Sequence, residues 1–205
     1  MKTCPSLPLA ALLFLAAPLL VPGRADAAEP AGGSWPQFHG PARDNRSTET
    51  GLLKEWPKDG PPLLWTFADC GKGYAAPSIA DGRLFTSGDF ADKEFVLALG
   101  LDGKLLWKTP NGASWKGAYP GARTTPTVHD GLVYHMNPTG RLAALRADSG
   151  EEAWTMDLKA QFRIEPSTWA LAENLVLEGD AVLAAPGGAL GRVVALDKKT
   201  GRLLW

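Results

Sequence analysis

Ala195-Leu196-Asp197-Lys198-Lys199-Thr200-Gly201-Arg202-Leu203-Leu204-Trp205 decides the fold, because the same phrase is written three times. Ala144-Leu145-Arg146-Ala147-Asp148-Ser149-Gly150-Glu151-Glu152-Ala153-Trp154 repeats it, and Ala98-Leu99-Gly100-Leu101-Asp102-Gly103-Lys104-Leu105-Leu106-Trp107 repeats it one residue shorter. In each copy a Gly stands four residues before the Trp. Self-similarity at such a period is the mark of a repeat architecture. Pro61-Pro62-Leu63-Leu64-Trp65 carries only the end of the phrase, so the series of Trp runs 65, 107, 154, 205 at spacings of 42, 47 and 51 residues. A propeller blade takes roughly 40–50 residues.

A second phrase lies between successive Trp. Pro77-Ser78-Ile79-Ala80-Asp81-Gly82-Arg83-Leu84-Phe85 and Pro126-Thr127-Val128-His129-Asp130-Gly131-Leu132-Val133-Tyr134 each set an Asp-Gly turn between two short apolar runs, and residues 174–183 hold a degenerate third copy. That pattern predicts a β-hairpin. The Trp phrase predicts a second hairpin, with turns at Asp102-Gly103, Asp148-Ser149-Gly150 and Lys199-Thr200-Gly201. Two hairpins per repeat make four antiparallel strands. One four-stranded blade cannot bury both of its faces, so neighbouring blades must stack. The expected fold is all-β, a β-propeller of four-stranded antiparallel blades, with about three to four blades written in this chain. Each repeat Trp is expected on an outer strand, filling the wedge between adjacent blades and contributing about 2–3 kcal/mol by its burial.

Composition agrees with that class. The 23 Gly and 17 Pro are spread as turn punctuation, and the 8 Trp are many for this length. The chain opens on Met1-Lys2-Thr3, an apolar run from Leu7 to Val21, and Pro22-Gly23-Arg24-Ala25-Asp26-Ala27, which reads as a secretory signal peptide cut after Ala27. The run is too short to span a membrane, which takes roughly 20 apolar residues. The expectation is an exported product, soluble once residues 1–27 are removed and not membrane-spanning. Removal of that segment leaves 19 positive against 21 negative side chains, and no clustered basic face marks a nucleic-acid partner. Cys70 is then the lone cysteine and reads as a small, partly buried hydrophobe. Residues 28–60 form an arm, polar at first and then extended, with anchoring aromatics in Trp35-Pro36-Gln37-Phe38-His39-Gly40-Pro41. Residues 61–205 form the partial propeller.

At these residues the chain resembles the pyrroloquinoline-quinone-like, or quinoprotein-like, β-propeller repeat family. The family phrase Ala-x-Asp-x-x-Thr-Gly-x-x-x-Trp, its tryptophan-docking motif, is matched at every fixed position by residues 195–205, while the second copy carries Arg146 and Ser149 in place of the Asp and Thr. The segment from Trp35 to Pro41, Thr50-Gly51-Leu52, Arg123-Thr124-Thr125-Pro126-Thr127 and Pro186-Gly187-Gly188 resemble a secreted bacterial branch. The resemblance implies a ring of seven or eight blades, which takes roughly 300 residues or more. The chain is therefore expected to be an N-terminal fragment or to assemble with other chains. It also implies two kinds of function, because the superfamily holds quinone-dependent alcohol dehydrogenases as well as the cofactor-free outer-membrane assembly-factor propeller.

Candidate site residues come from the loops that join one blade to the next. Lys72, Tyr119, Arg123, Glu165 and Trp169 lie there, on the face where propellers commonly bind ligands, and Arg, Glu and aromatics around a channel can clamp a planar or carboxylate ligand. Loop packing is the competing reading of the same residues. A quinone dehydrogenase, as the resemblance implies, needs pyrroloquinoline quinone (PQQ), Ca²⁺, an Asp base and often a vicinal cysteine pair. No adjacent cysteines occur and no Asp is marked as that base. His39, His129 and His135 are scattered without metal-ligand spacing. No catalytic residue, metal site or resident cofactor is assigned. The expected function is a non-catalytic scaffold presenting its loop face to a protein or an extracellular ligand. The alternative is the N-terminal part of a PQQ- and Ca-dependent alcohol dehydrogenase.

Overall fold

A computed structural model describes residues 33–165 and 167–205, so the signal-peptide reading of residues 1–27 lies outside the described residues. Three antiparallel sheets follow one another along the chain. The first holds β1 (Ser78–Ala80), β2 (Arg83–Phe90), β3 (Lys93–Gly100) and β4 (Leu105–Ala113) in that order. The second holds β5 (Thr127–His129), β6 (Leu132–Met136), β7 (Arg141–Arg146) and β8 (Glu152–Asp157). A short helix, α1 (Leu158–Phe162), precedes the third sheet, β9 (Val176–Glu178), β10 (Ala181–Ala184) and β11 (Val194–Asp197). The Trp phrase occupies the fourth-strand position there too: Leu203 bridges Leu196, Leu204 N donates to Ala195 O, and Ala195 N donates to Trp205 O at 3.0 Å. The all-β expectation of four-stranded antiparallel blades is met.

Local chemistry makes the hairpins. Asp81-Gly82 (φ 50° and 70°) and Asp130-Gly131 (φ 48° and 71°) place both central residues in the left-handed region, which the tight two-residue turn requires and which Asp and Gly tolerate best. Register follows directly, with Ala80 opposite Arg83 and His129 opposite Leu132.

The middle sheet is buried on both faces, and the period of two along its strands sorts the side chains. Val133, Ala143 and Leu145 face the first sheet, with Phe85, Val96, Ala98 and Trp107. Tyr134, Met136, Leu142 and Ala144 face the third, with Trp154, Val182, Ala184 and Leu196. This is why β7 reads as the unbroken apolar run Leu142-Ala143-Ala144-Leu145 with no polar alternation.

One device closes both seams. Trp107 donates its indole N–H to Ala147 O at 3.0 Å and Trp154 donates to Lys198 O at 2.9 Å, each reaching into the following repeat. The rings lie flat on Gly150 and Gly201, where an added Cβ would sit 2.7 and 2.5 Å from ring carbon. Trp65 does the same toward Leu101 O, at 2.8 Å, over Gly103. The Gly of the phrase thus receives the Trp of the previous repeat.

The arm crosses the first strands of all three sheets. Trp35 exchanges backbone hydrogen bonds with Ile79 of β1, Pro36 O accepts from Val128 N of β5 at 2.8 Å, and the Arg43 guanidinium donates to Leu177 O of β9 at 3.0 Å. Between them the chain turns on itself, with Asn45 N donating to His39 O and His39 Nδ1 lying 2.7 Å from Asn45 Oδ1.

Candidate functional site

The segments joining successive sheets and the β10–β11 loop emerge at one end of the sheets, because every strand reverses direction. Helix α1 is anchored there. The Asp157 carboxylate accepts from Ala160 N at 3.0 Å as its N-cap, Leu158 and Phe162 are buried in the second seam, and Arg163 ends the helix in the left-handed region (φ 51°). Between α1 with its following loop and residues 185–192 opens a cleft of about 520 Å³. Its walls are largely apolar, from Trp115, Pro138, Ile164, Leu171 and Pro186, with Lys159, Arg163, Arg192, Glu165 and Glu173 as the charged groups. Burial pushes the Glu173 carboxyl up, and its Oε2 is buried without a hydrogen-bond partner. Three cations, Lys159, Arg163 and Arg192, against two carboxylates leave the lining formally net positive. Volume and lining suit a small molecule or a protein side-chain cluster with an apolar body and an anionic group.

The residues singled out from the sequence fall in three places. Glu165 lines the cleft. Tyr119 (φ 50°) stacks on Trp169 with ring centroids 5.4 Å apart, both rings well exposed. The Arg123 guanidinium donates through Nη2 to Ala118 O at 2.6 Å and Tyr119 O at 2.8 Å of its own loop, tying down the backbone at Tyr119, while its buried Nε has no hydrogen-bond partner. Lys72 sits across the first sheet, where its backbone pairs with Asp89 and accepts from Ala122 N. Burial pushes the Asp89 carboxyl up, and the hydrogen bond from Trp115 N with the charges of Lys116, Arg123 and Lys72 offsets that rise only in part. Cys70 is partly buried, unpaired, and pushed up by burial and by Asp69.

A second polar group, not singled out from the sequence, lies inside the first seam. Glu94 of β3 and His135 of β6 are fully buried, with Glu94 Oε1 3.4 Å from His135 Nδ1. The surrounding bonds settle the imidazole. Arg141 donates to Asn111 Oδ1 at 3.0 Å, which turns the Asn111 amide nitrogen toward His135 Nδ1 at 2.9 Å. On the other side, Thr124 gives its hydroxyl proton to Met136 O and Ser87 gives its own to Thr124 O, so both hydroxyl oxygens accept from His135 Nε2 at 3.0 Å. The ring is therefore neutral, protonated at Nε2 and accepting at Nδ1, and burial lowers its pKa to about 4. An ion pair with Glu94 is incompatible with this arrangement despite the short distance. Burial and the neighbouring Asp89 push the Glu94 carboxyl well above the usual carboxylate range.

A family profile described as "Outer membrane protein assembly factor BamB" matches residues 48–205. The chain belongs to that family. It is 30% identical over 153 residues to "Quinohemoprotein alcohol dehydrogenase ADH-IIG" of Pseudomonas putida, covering 70% of this chain and 21% of the relative. It is 35% identical over 129 residues to "Outer membrane protein assembly factor BamB" of Burkholderia pseudomallei, covering 62% of this chain and 29% of the relative. The solved structure of quinohemoprotein alcohol dehydrogenase ADHIIG from Pseudomonas putida HK5 superposes with a TM-score of 0.50 at 26% identity, over 67% of this chain and 21% of that one. The chain thus spans less than a third of the length of these relatives. The quinoprotein-like propeller assignment stands, and relatives within the family include named dehydrogenases and a named assembly factor alike.

Proposed function

We propose that this chain is part of an exported propeller that works as a non-catalytic binding scaffold, taking a protein segment or extracellular ligand at its loop end. Residues 1–27 would be the export signal, residues 28–60 the arm, and residues 61–205 the propeller portion. The observation that carries this reading is the net-positive apolar cleft beside the exposed Tyr119–Trp169 stack, both set on the loops that follow two blades. Aromatic rings with an apolar pocket and a few charges make a contact surface of the kind that dominates recognition energetics. Among the described residues no helix is long and apolar enough to cross a membrane. A photo-crosslinking residue at Trp169 or Glu165, compared with one at Asp148 on the opposite end, tests the reading in the exporting cell. Adducts concentrated at the loop end are expected, and equal labelling of both ends would overturn it.

The identity with a quinohemoprotein alcohol dehydrogenase supports a second reading, the N-terminal part of a PQQ- and Ca-dependent dehydrogenase. Calcium takes 6–8 oxygen ligands, and among the described residues no three His, Cys, Asp or Glu side chains gather to hold a metal ion. These residues do not by themselves fit the quinone with its calcium ion, and no reaction step is derived through them. Titrating the protein with micromolar PQQ and Ca²⁺ separates the readings: tight binding accompanied by alcohol-dependent dye reduction would replace the scaffold with the dehydrogenase.

A further inference from the structure

The first seam encloses a carboxylic acid that the loop-end cleft does not use. Glu94 is fully buried, and neither of its oxygens has a hydrogen-bond partner. Directly across the β2–β3 ladder stands a second carboxylate, Asp89. Two carboxylates facing each other across a strand pair are destabilising if both are ionised, which favours a proton on one of them.

The groups around the pair decide which. Asp89 Oδ1 is buried without a partner, but its Oδ2 accepts from Trp115 N at 3.0 Å and the positive charges of Lys116, Arg123 and Lys72 act on it. From β6, Glu94 faces the neutral His135, whose Nδ1 lone pair already accepts from Asn111 of β4. The guanidinium of Arg141 on β7 does not reach it, being divided between Asn111 and Glu152. None of these contacts brings a cation onto Glu94, and an ionised Glu94 would direct its charge at a lone pair and at another carboxylate.

We propose that Glu94 is a proton-binding site sealed between the first two blades: the packed seam holds it as the neutral acid, and its ionisation opens that seam. The residues that would move apart are those of the first core cluster, among them Ala98 of β3 and Val133 and Ala143 of the second sheet. The second seam has no fully buried carboxylate among the described residues, Glu173 being half-buried at its loop-end cleft, and it stays closed.

The test is infrared difference spectroscopy on the full chain, wild type against Glu94→Gln, joined to amide hydrogen exchange across a pH series. Wild type shows the carbonyl band of a protonated, water-free carboxylic acid at neutral pH, and the variant lacks it. As pH rises, opening of the first seam, read at Ala98, Val133 and Ala143, increases about tenfold per pH unit beyond the intrinsic exchange rate, as release of one proton on opening requires. The second seam, read at Leu142 and Val182, and the whole of Glu94→Gln show no such increase. Asp89→Asn, which removes the facing charge, lets Glu94 ionise at lower pH within the closed seam, so the pH-dependent rise in opening levels off at lower pH than in wild type. No protonated-acid band in wild type at neutral pH would overturn the proposal, as would first-seam opening that does not change with pH. Both can be read on wild type alone, so the test survives a variant that does not fold.

Discussion

The two seams on either side of the middle sheet are closed by the same clasp and filled with different material. In both, an indole lies on a glycine of the next repeat and donates to a backbone carbonyl beyond it. Inside the clasp the second seam is mostly apolar, with Met136, Leu142, Leu158, Phe162 and Val182, and its polar groups Tyr134 and Thr127 donate to the backbone carbonyls of Lys198 and Leu175. The first also buries Glu94, His135, Asn111 and Thr124. The clasp sets how blades meet, and it leaves the interior free to carry chemistry. A satisfied polar network rigidifies a seam, whereas a carboxyl without partners makes it conditional on pH.

Substitutions break this comparison at graded cost. Trp107→Ala and Trp154→Ala should each lower stability by about 3–5 kcal/mol in denaturant titration. Similar values would show the clasp to be one device used twice, whereas a cost under about 1 kcal/mol at either site would deny it.

Next in size is the acid limb of the first seam. His135 has a folded pKa of about 4 against an ordinary value of 6.5, so the unfolded chain binds the extra proton and stability falls as pH drops through that window, by on the order of 3 kcal/mol. Glu94 is shifted upward, so the folded chain holds the extra proton. Its contribution is complete below the ordinary carboxylate value and is lost as pH rises toward its raised folded value. Unfolding free energy measured against pH should therefore fall off on both sides, with Glu94→Gln removing the alkaline limb alone. A profile from which that variant removes the acid limb would reverse the assignment of the two groups.

Gly201→Ala should cost about 1–3 kcal/mol, because the new Cβ meets the Trp154 ring and the backbone there has φ 70°. The smallest effect belongs to the half-exposed Arg141–Glu152 bridge, 2.7 Å long at the outer end of the first-seam network. Glu152→Gln should change stability by less than about 1 kcal/mol, and a larger loss would mean that Arg141 depends on this bridge to orient Asn111.

The hairpins and the clasp were legible in the chain because both are local. Asp81-Gly82 and Asp130-Gly131 announce their own turns, and each Trp recurs at blade spacing after a Gly. The candidate site was legible only in part. Glu165 was placed on an inter-blade loop and lines the cleft, whereas Arg123 donates to carbonyls of its own loop, and the helix α1 that builds the cleft wall has a turn and a half of sequence with little periodicity to show. Glu94 gave no sign of burial, since Lys93-Glu94 beside a hairpin turn reads as an exposed charged pair. His135 looked like one of three unrelated histidines.

The primary sequence alone determined a repeated blade with a Gly-and-Trp joint, since turn chemistry, strand alternation and repeat length are properties of neighbouring residues. Tertiary structure alone decided which polar groups the blades trap when they stack. Whether Glu94 carries a proton depends on Asp89 across one strand pair, His135 on the next sheet and three cations drawn toward Asp89. Charge interactions act through space and grow as water is excluded, so they are written into the packing of the sheets and not into the order of residues along any one strand.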